Sequence, residues 1–244
     1  MTQAQPTLAY APSRFSRRFR LRAQHIPLLA TFAVSLMLYT AAAIYLRDRG
    51  FFSLSVFISF FSDNAFLGIT AVGMTFVILS GGIDLSVGSM VGFTSILIAW
   101  LMSAHHMHPL VAIAIALGSG AFLGLLQGAL IHFFELAPFL VTLAGMFFIH
   151  GLAQLTSLES ISLDHPLLDW LSEFSISLGT AAVRVPAIAL AGVALVGIYI
   201  SRYTKFGRTV YAIGGNEQSA ILMGLPVGRT KVLIYTLSGF CAAL

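Results

Sequence analysis

Residues 65–100 read AFLGITAVGMTFVILSGGIDLSVGSMVGFTSILIAW, and the class of the whole chain turns on them. The apolar run is long enough for two membrane spans of about 17–20 residues each. Its middle is different: Ser80-Gly81-Gly82-Ile83-Asp84-Leu85-Ser86-Val87-Gly88-Ser89 holds glycines, serines and one carboxylate, with no basic residue to pair with it. In lipid every backbone N–H and C=O must be satisfied internally, so irregular backbone there is buried in protein or lines a polar cavity. An ionisable residue beside such a break is a candidate functional residue. The stretch therefore reads as two helices meeting at a polar break. Asn64, Ser80, Asp84, Ser86 and Ser89 are the candidate functional residues in and beside this break.

Working outward, the composition agrees. The chain is 58% hydrophobic and 9% charged, where a soluble domain carries about 25% charged residues. A β-barrel would alternate apolar and polar residues, and these segments are continuous apolar runs. The expected fold class is an all-α polytopic membrane protein, with about six complete spans, a truncated seventh, and its N-terminus inside. Cys241 is the one cysteine, so no internal disulfide is possible. The net charge of +4 gives no weight to a nucleic-acid partner, because the basic residues sit in loops beside spans, as membrane topology requires.

Toward the N-terminus, residues 1–25 form a basic, cytoplasmic tail with Arg14, Arg17, Arg18, Arg20 and Arg22. The apolar run 26–46 follows. It is longer than the ~7–15 residues of a signal-peptide core and continues past Ala41-Ala42-Ala43, so it reads as an uncleaved first span. Residues 51–61 are too short to cross, and form either an interfacial helix or the start of span 2. Ser62, Asp63 and Asn64 offer N-cap side chains for a helix beginning near Ala65.

Toward the C-terminus, His105, His106 and His108 sit in a short turn with no Cys, Asp or Glu beside them. This reads as a polar turn, and no metal or cofactor is expected. Span 4, 110–133, carries Ala112, Ala116, Gly120, Gly124 and Gly128. A small residue at every fourth position makes a smooth stripe for close helix contact, inside the bundle or with a second subunit. Span 5, 139–156, includes Gly145 and His150. Residues 157–185 form a polar, periplasmic loop, with a short interfacial helix near Leu167, Leu168, Trp170 and Leu171. Span 6 is 186–201, and 202–231 is a second polar loop. Span 7 starts at Val232 and reaches Leu244 within 13 residues, too few to cross, so the expectation is a fragment or a truncated product.

With each span crossing once, Arg202, Lys205, Arg208, Arg229 and Lys231 join the tail arginines inside, against Arg47, Arg49 and Arg184 outside. That agrees with the positive-inside rule, and the break at 80–89 falls at the cytoplasmic end of two spans unless it re-enters the bilayer.

The loop 202–231 contains its own helix signal. Asn216 is a good N-cap, Glu217 suits the first turn, Gly224 fits the C′ position and Pro226 ends the element. A two-turn helix over Glu217–Met223 follows, with Ala220, Ile221, Leu222 and Met223 on an apolar side. It is either a helix resting on the membrane surface or a docking knob for a cytoplasmic partner.

These residues resemble a known family. The string from Asp63 to Ser89, together with Thr142-Leu143-Ala144-Gly145-Met146-Phe147-Phe148, with Glu159-Ser160-Ile161 and His165-Pro166, and with Tyr211–Asn216 and Leu222-Met223-Gly224, resembles permease subunits of bacterial ABC importers for monosaccharides. Ribose and xylose importers belong to that group, and the likeness is greatest to permeases of galactofuranose importers. The resemblance covers roughly residues 26–244. It implies a multi-pass inner-membrane protein that pairs with a second permease subunit, receives sugar from a periplasmic sugar-binding protein and is driven by a cytoplasmic ATP-binding cassette subunit. It implies that Gly215, Asn216, Glu217, Ala220, Ile221, Leu222, Met223 and Gly224 contact the ATPase. The chain carries no G-x-x-x-x-G-K-[ST] phosphate loop, so it is not expected to be an enzyme. Members of the family continue for several spans beyond the position of Leu244. For Asp84 the reading favoured over sugar contact is a cap on the helix that follows. The alternative function is an ion-coupled secondary transporter with a broken-helix site.

Overall fold

The computed structural model describes residues 26–46, 51, 53–159, 161–163, 165–178 and 181–244. The basic tail, Arg47 and Arg49 lie outside them. The chain divides into two compact units, 1–52 and 53–244. The first contributes α1 (Ile26–Tyr45), apolar along its length, with Pro27 in the first turn, where a missing N–H costs nothing. Thr31 and Thr40 turn their hydroxyls onto the carbonyls of Pro27 and Leu36. Their polarity is thus absorbed within the helix, as a lipid-facing element requires.

The second unit begins with α2 (Leu54–Asp63), capped by Ser53, whose hydroxyl accepts from the Val56 N–H. It meets α3 (Ala65–Leu79) at a bend of 57°. The expected capping at this junction is corrected: Asn64 makes no N-cap bond to α3 but donates its amide to the Phe60 carbonyl behind it. The side chain thereby closes the end of α2 instead of opening α3. Next come α4 (Val87–Ala104), α5 (Pro109–Phe133) and α6 (Pro138–Thr156). His108 caps α5 through Nδ1, and His105 stacks edge-on against Trp100. Among the described residues no group of three metal-ligating side chains converges.

The polar stretch 157–185 holds more structure than the expected short helix. After α7 (Pro166–Glu173), capped by His165, comes an antiparallel hairpin of β1 (Ser175–Leu178) and β2 (Ala181–Arg184), with Ser175 opposite Arg184. Its sequence signal was the two-residue Gly-Thr link between short runs. The chain continues as α8 (Val185–Tyr203), α9 (Lys205–Gly215), α10 (Glu217–Leu222) and α11 (Val227–Ala243). The last helix starts five residues earlier than hydropathy placed it, because Arg229 and Lys231 sit in its first turns. Long basic side chains reach the interface while their backbone stays helical.

Among the described residues four helices, α4, α5, α6 and α8, are each long and apolar enough to cross a membrane, and the bent pair α2–α3 makes a possible fifth, in keeping with an all-α polytopic fold. The bundle is organised on α5 and α11. The small-residue stripe of α5 is buried inside the bundle: Gly120, Gly124 and Gly128 lie against the last helix and Ala112 packs on Leu101 and Met102 of α4. A Cβ at Gly124 would strike the Tyr235 carbonyl, one at Gly239 the Gly120 carbonyl, and one at Gly128 the backbone of Val232. With no water to expel between helices in lipid, such close backbone approach is the main source of association through packing. Phe76, Val77, Ile131, Val141, Val210, Ile234 and Tyr235 form the core that joins α3, α5, α6, α9 and α11. Met90 and Phe93 of α4 pack on Ile149 and Ala153 of α6.

Candidate functional site

The polar break is built from the end of α3. The Ser80 hydroxyl donates to the Val77 carbonyl. Gly81 takes φ 77°, a left-handed conformation that suits glycine. The N–H groups of Gly81 and Gly82 then return to Ile78 and Val77, which caps the helix and releases the chain into an irregular segment ending at Ser86. Within it Asp84 is 2% exposed. Its Oδ1 accepts from the Ser86 N–H at 2.9 Å and the Ser86 hydroxyl at 2.7 Å, and its Oδ2 from the Ser238 hydroxyl at 2.8 Å. Ser86 Oγ also lies 3.0 Å from the side-chain amide of Gln127. A hydroxyl has one proton, and the carboxylate takes it, so this contact is satisfied with the amide turned to present its nitrogen. The Thr142 hydroxyl shares its proton between the Pro138 carbonyl of its own helix at 2.9 Å and the Ile83 carbonyl at 3.2 Å. One short segment thus ties together α4, α5, α6 and α11.

This geometry places the break. Ser238 lies eleven residues beyond Val227, the start of α11, or about 16 Å along the helix at 1.5 Å per residue. The break, which joins the end of α3 to the start of α4, is therefore buried against the middle of α11. The capping role is also narrower than expected. Asp84 takes the N–H of Ser86, the residue before α4, and Ser86 itself makes no side-chain cap bond. The five candidate residues do not form one site. Asp84 and Ser86 are together but closed in hydrogen bonds, Ser80 caps α3, Asn64 is at the α2–α3 bend, and Ser89 alone lines an open groove between α4 and α6. Beside the break the Tyr235 hydroxyl is buried with no hydrogen-bond partner among the described residues.

In 202–231 the short helix expected after Asn216 is present as α10, preceded by α9, which reads as loop by hydropathy alone. A Cβ at Gly214 would strike the Leu79 carbonyl, so only glycine lets α9 meet the end of α3. Gly215 closes α9, and the Asn216 side chain accepts from the Ser219 N–H at 2.8 Å to cap α10. Gly224, at φ 74°, ends it. Ala220 is fully buried, whereas Ile221, Leu222 and Met223 are 55%, 88% and 68% exposed. Glu217 Oε1 accepts from Lys231 Nζ at 2.6 Å, which ties α10 to α11. Beside them a groove of about 980 Å³ runs between the α5–α6 turn and this pair, lined by His132, Glu135, Glu217, Ile221, Arg229 and Lys231.

Residues 56–244 match the family described as branched-chain amino acid transport system / permease component. The chain belongs to this permease family. The permease is 41% identical to the inner membrane ABC transporter permease protein YjfF of Escherichia coli, over 91% of this chain and 66% of that protein. It is 38% identical to the fructose import permease protein FruG of Bifidobacterium longum, over 100% of this chain and 72% of that protein. It is 31% identical to the ribose import permease protein RbsC of Escherichia coli, over 85% and 65%. The permease spans about two thirds of the length of these relatives. No solved structure matches it.

Ser238, Gln127 and Thr142, the partners of the break, were not singled out from sequence, nor was Lys231 as the partner of Glu217. The available signal was polarity inside apolar helices, since buried polar side chains there find one another.

Proposed function

We propose that this permease is the membrane subunit of an ATP-driven importer in the bacterial inner membrane, and that it carries a monosaccharide of the galactofuranose type. It works with a separate ATP-binding cassette subunit, a second permease subunit and a periplasmic sugar-binding protein. Its N-terminus is cytoplasmic, 157–185 is periplasmic and 202–231 is the coupling loop. The observation that carries this reading is α10. A six-residue helix, capped at both ends and tied to α11 by an ion pair, presents three apolar side chains away from the bundle. The relatives named for fructose and ribose import supply the solute class.

The mechanism follows from that attachment. ATP binding closes the ATPase pair and displaces α10, and the Glu217–Lys231 pair and the Gly224–Pro226 link pass the displacement to α11. Because α11 is anchored to the break through Ser238, the bundle moves with it. The ATPase state must favour one permease state by a few kcal/mol for this to drive transport. An ion-coupled carrier would need oxygen ligands open to a cation, and those of Asp84 are turned to Ser86 and Ser238. The test is Ile221→Asp with Leu222→Asp, in the permease expressed with its partner subunits. Loss of ATPase association and of uptake is expected, at unchanged permease level. Normal association would refute the docking role of α10.

A further inference from the structure

Helix α6 borders two grooves of different polarity. On the α5 side its Leu140 and Phe148 face Leu126 and Leu130 across a groove of about 380 Å³, almost wholly apolar. On the α4 side a groove of about 510 Å³ sets Ser89, His150 and Gln154 among apolar Phe93, Ile96 and Leu158. The first is the surface a lipid tail or an apolar helix covers. The second is not, because polar side chains left open to hydrocarbon cost several kcal/mol each.

Of its polar groups, the Ser157 hydroxyl is already engaged with the Glu159 backbone, but Ser89, His150 and Gln154 keep unused hydrogen-bonding capacity. Gln154 Nε2 lies 3.2 Å from His150 Nε2. An amide nitrogen only donates, so His150 Nε2 accepts and the Nδ1–H of the neutral ring is left to donate, while Gln154 Oε1 is left to accept. Turning the amide over exchanges these roles and still leaves one donor and one acceptor. Neither remaining group has a partner among the described residues. The Ser89 hydroxyl has none either. It lies in the first turn of α4, where residue 85 is not helical, whereas Ser95 turns back onto the Val91 carbonyl. At Gly88 and Gly92 a Cβ would meet nothing within 4 Å, so these glycines leave open space that the fold does not need. No Asp, Glu, Lys or Arg side chain lines the groove, which disfavours an ionic ligand. A neutral molecule with several adjacent hydroxyls matches paired donors and acceptors of modest strength.

We infer that the α4–α6 groove is a monosaccharide-contacting subsite of the permeation path, in which Ser89, His150 and Gln154 exchange hydrogen bonds with sugar hydroxyls. This rests on the proposed function and adds the place and the residues. Binding there is weak by construction, as passage requires.

The experiment uses the permease assembled with its partner subunits in proteoliposomes, with radiolabelled D-ribose, D-fructose and D-galactose as probes, the last supplying its furanose form by ring equilibration in water. Cys241, the native thiol, is buried, so Ser89→Cys supplies the reactive one. A membrane-impermeant, positively charged methanethiosulfonate reagent is expected to label Ser89→Cys and block uptake, with labelling slowed by the transported sugar. His150→Leu and Gln154→Leu are each expected to lower maximal uptake by about tenfold, as loss of one hydrogen bond does, while ATPase stimulation by the binding protein is retained. Wild-type uptake with an inert Ser89→Cys, or with unaltered uptake in His150→Leu and Gln154→Leu, overturns the groove alone. No wild-type uptake of any probe overturns the functional reading and the groove with it.

Discussion

Two carboxylates in this chain are held in opposite ways. Asp84 is 2% exposed and bonded only to neutral groups, two hydroxyls and a backbone N–H. The Glu217 side chain is 43% exposed and meets the Lys231 ammonium at 2.6 Å. Desolvation explains what each is suited for. An ion pair near water contributes about 0–1 kcal/mol and can open and close at little cost. A buried carboxylate depends on every donor that converges on it, because a polar group stranded without a partner loses its hydration and gains nothing. Asp84 is therefore an anchor and Glu217 a joint, and both act on α11.

The comparison breaks most visibly at Asp84. Replacing it with Leu strands the Ser86 N–H and two hydroxyls, at about 1–3 kcal/mol for each buried group left unpaired. A large fall in the melting temperature of the detergent-solubilised protein and in its membrane level is expected. Asp84→Asn keeps an acceptor oxygen for Ser86 and offers an amide to the Ser238 oxygen, so most stability should survive. Equal losses in the two variants would end the anchor account.

At the joint the effect is smaller. Lys231→Met should lower stability by about 1 kcal/mol or less, yet reduce coupling of ATP hydrolysis to uptake. The double exchange Glu217→Lys with Lys231→Glu should restore coupling. Coupling that is indifferent to all three variants would remove the pair from the mechanism. The smallest effect is expected at Tyr235→Phe. Its hydroxyl is buried and makes no hydrogen bond among the described residues, so deleting it should leave thermal stability unchanged or raise it by about 1 kcal/mol. A clear drop would reveal a bond formed by that hydroxyl.

What was legible in the sequence divides along the same line. The joint was legible because its determinants are local: Asn216, Gly224 and Pro226 bound α10 within a dozen residues. The anchor was half legible. Asp84 and the glycines around it announced a break, but the contacts that place it join residues 41, 59 and 154 positions apart, and no local pattern encodes them. The start of α11 was misplaced for another reason. Gly228, Arg229, Thr230 and Lys231 look like loop by hydropathy, although basic side chains near a helix end leave the helix intact. The small-residue stripe of α5 was seen at once, while its partner, Gly239 on α11, stood outside any repeat.

That stripe has a mechanical consequence. Where carbonyls of one helix rest on glycine Cα atoms of the other, a slide of one or two residues drives side chains into backbone. The next acceptable seat is about one turn away, roughly 6 Å along the axis for four residues. Packed contacts of this kind are notched instead of smooth. Helices α5 and α11 therefore have no small gear in which to creep past one another. A push on α11 is thus a push on α5, and the two carry load as a single strut.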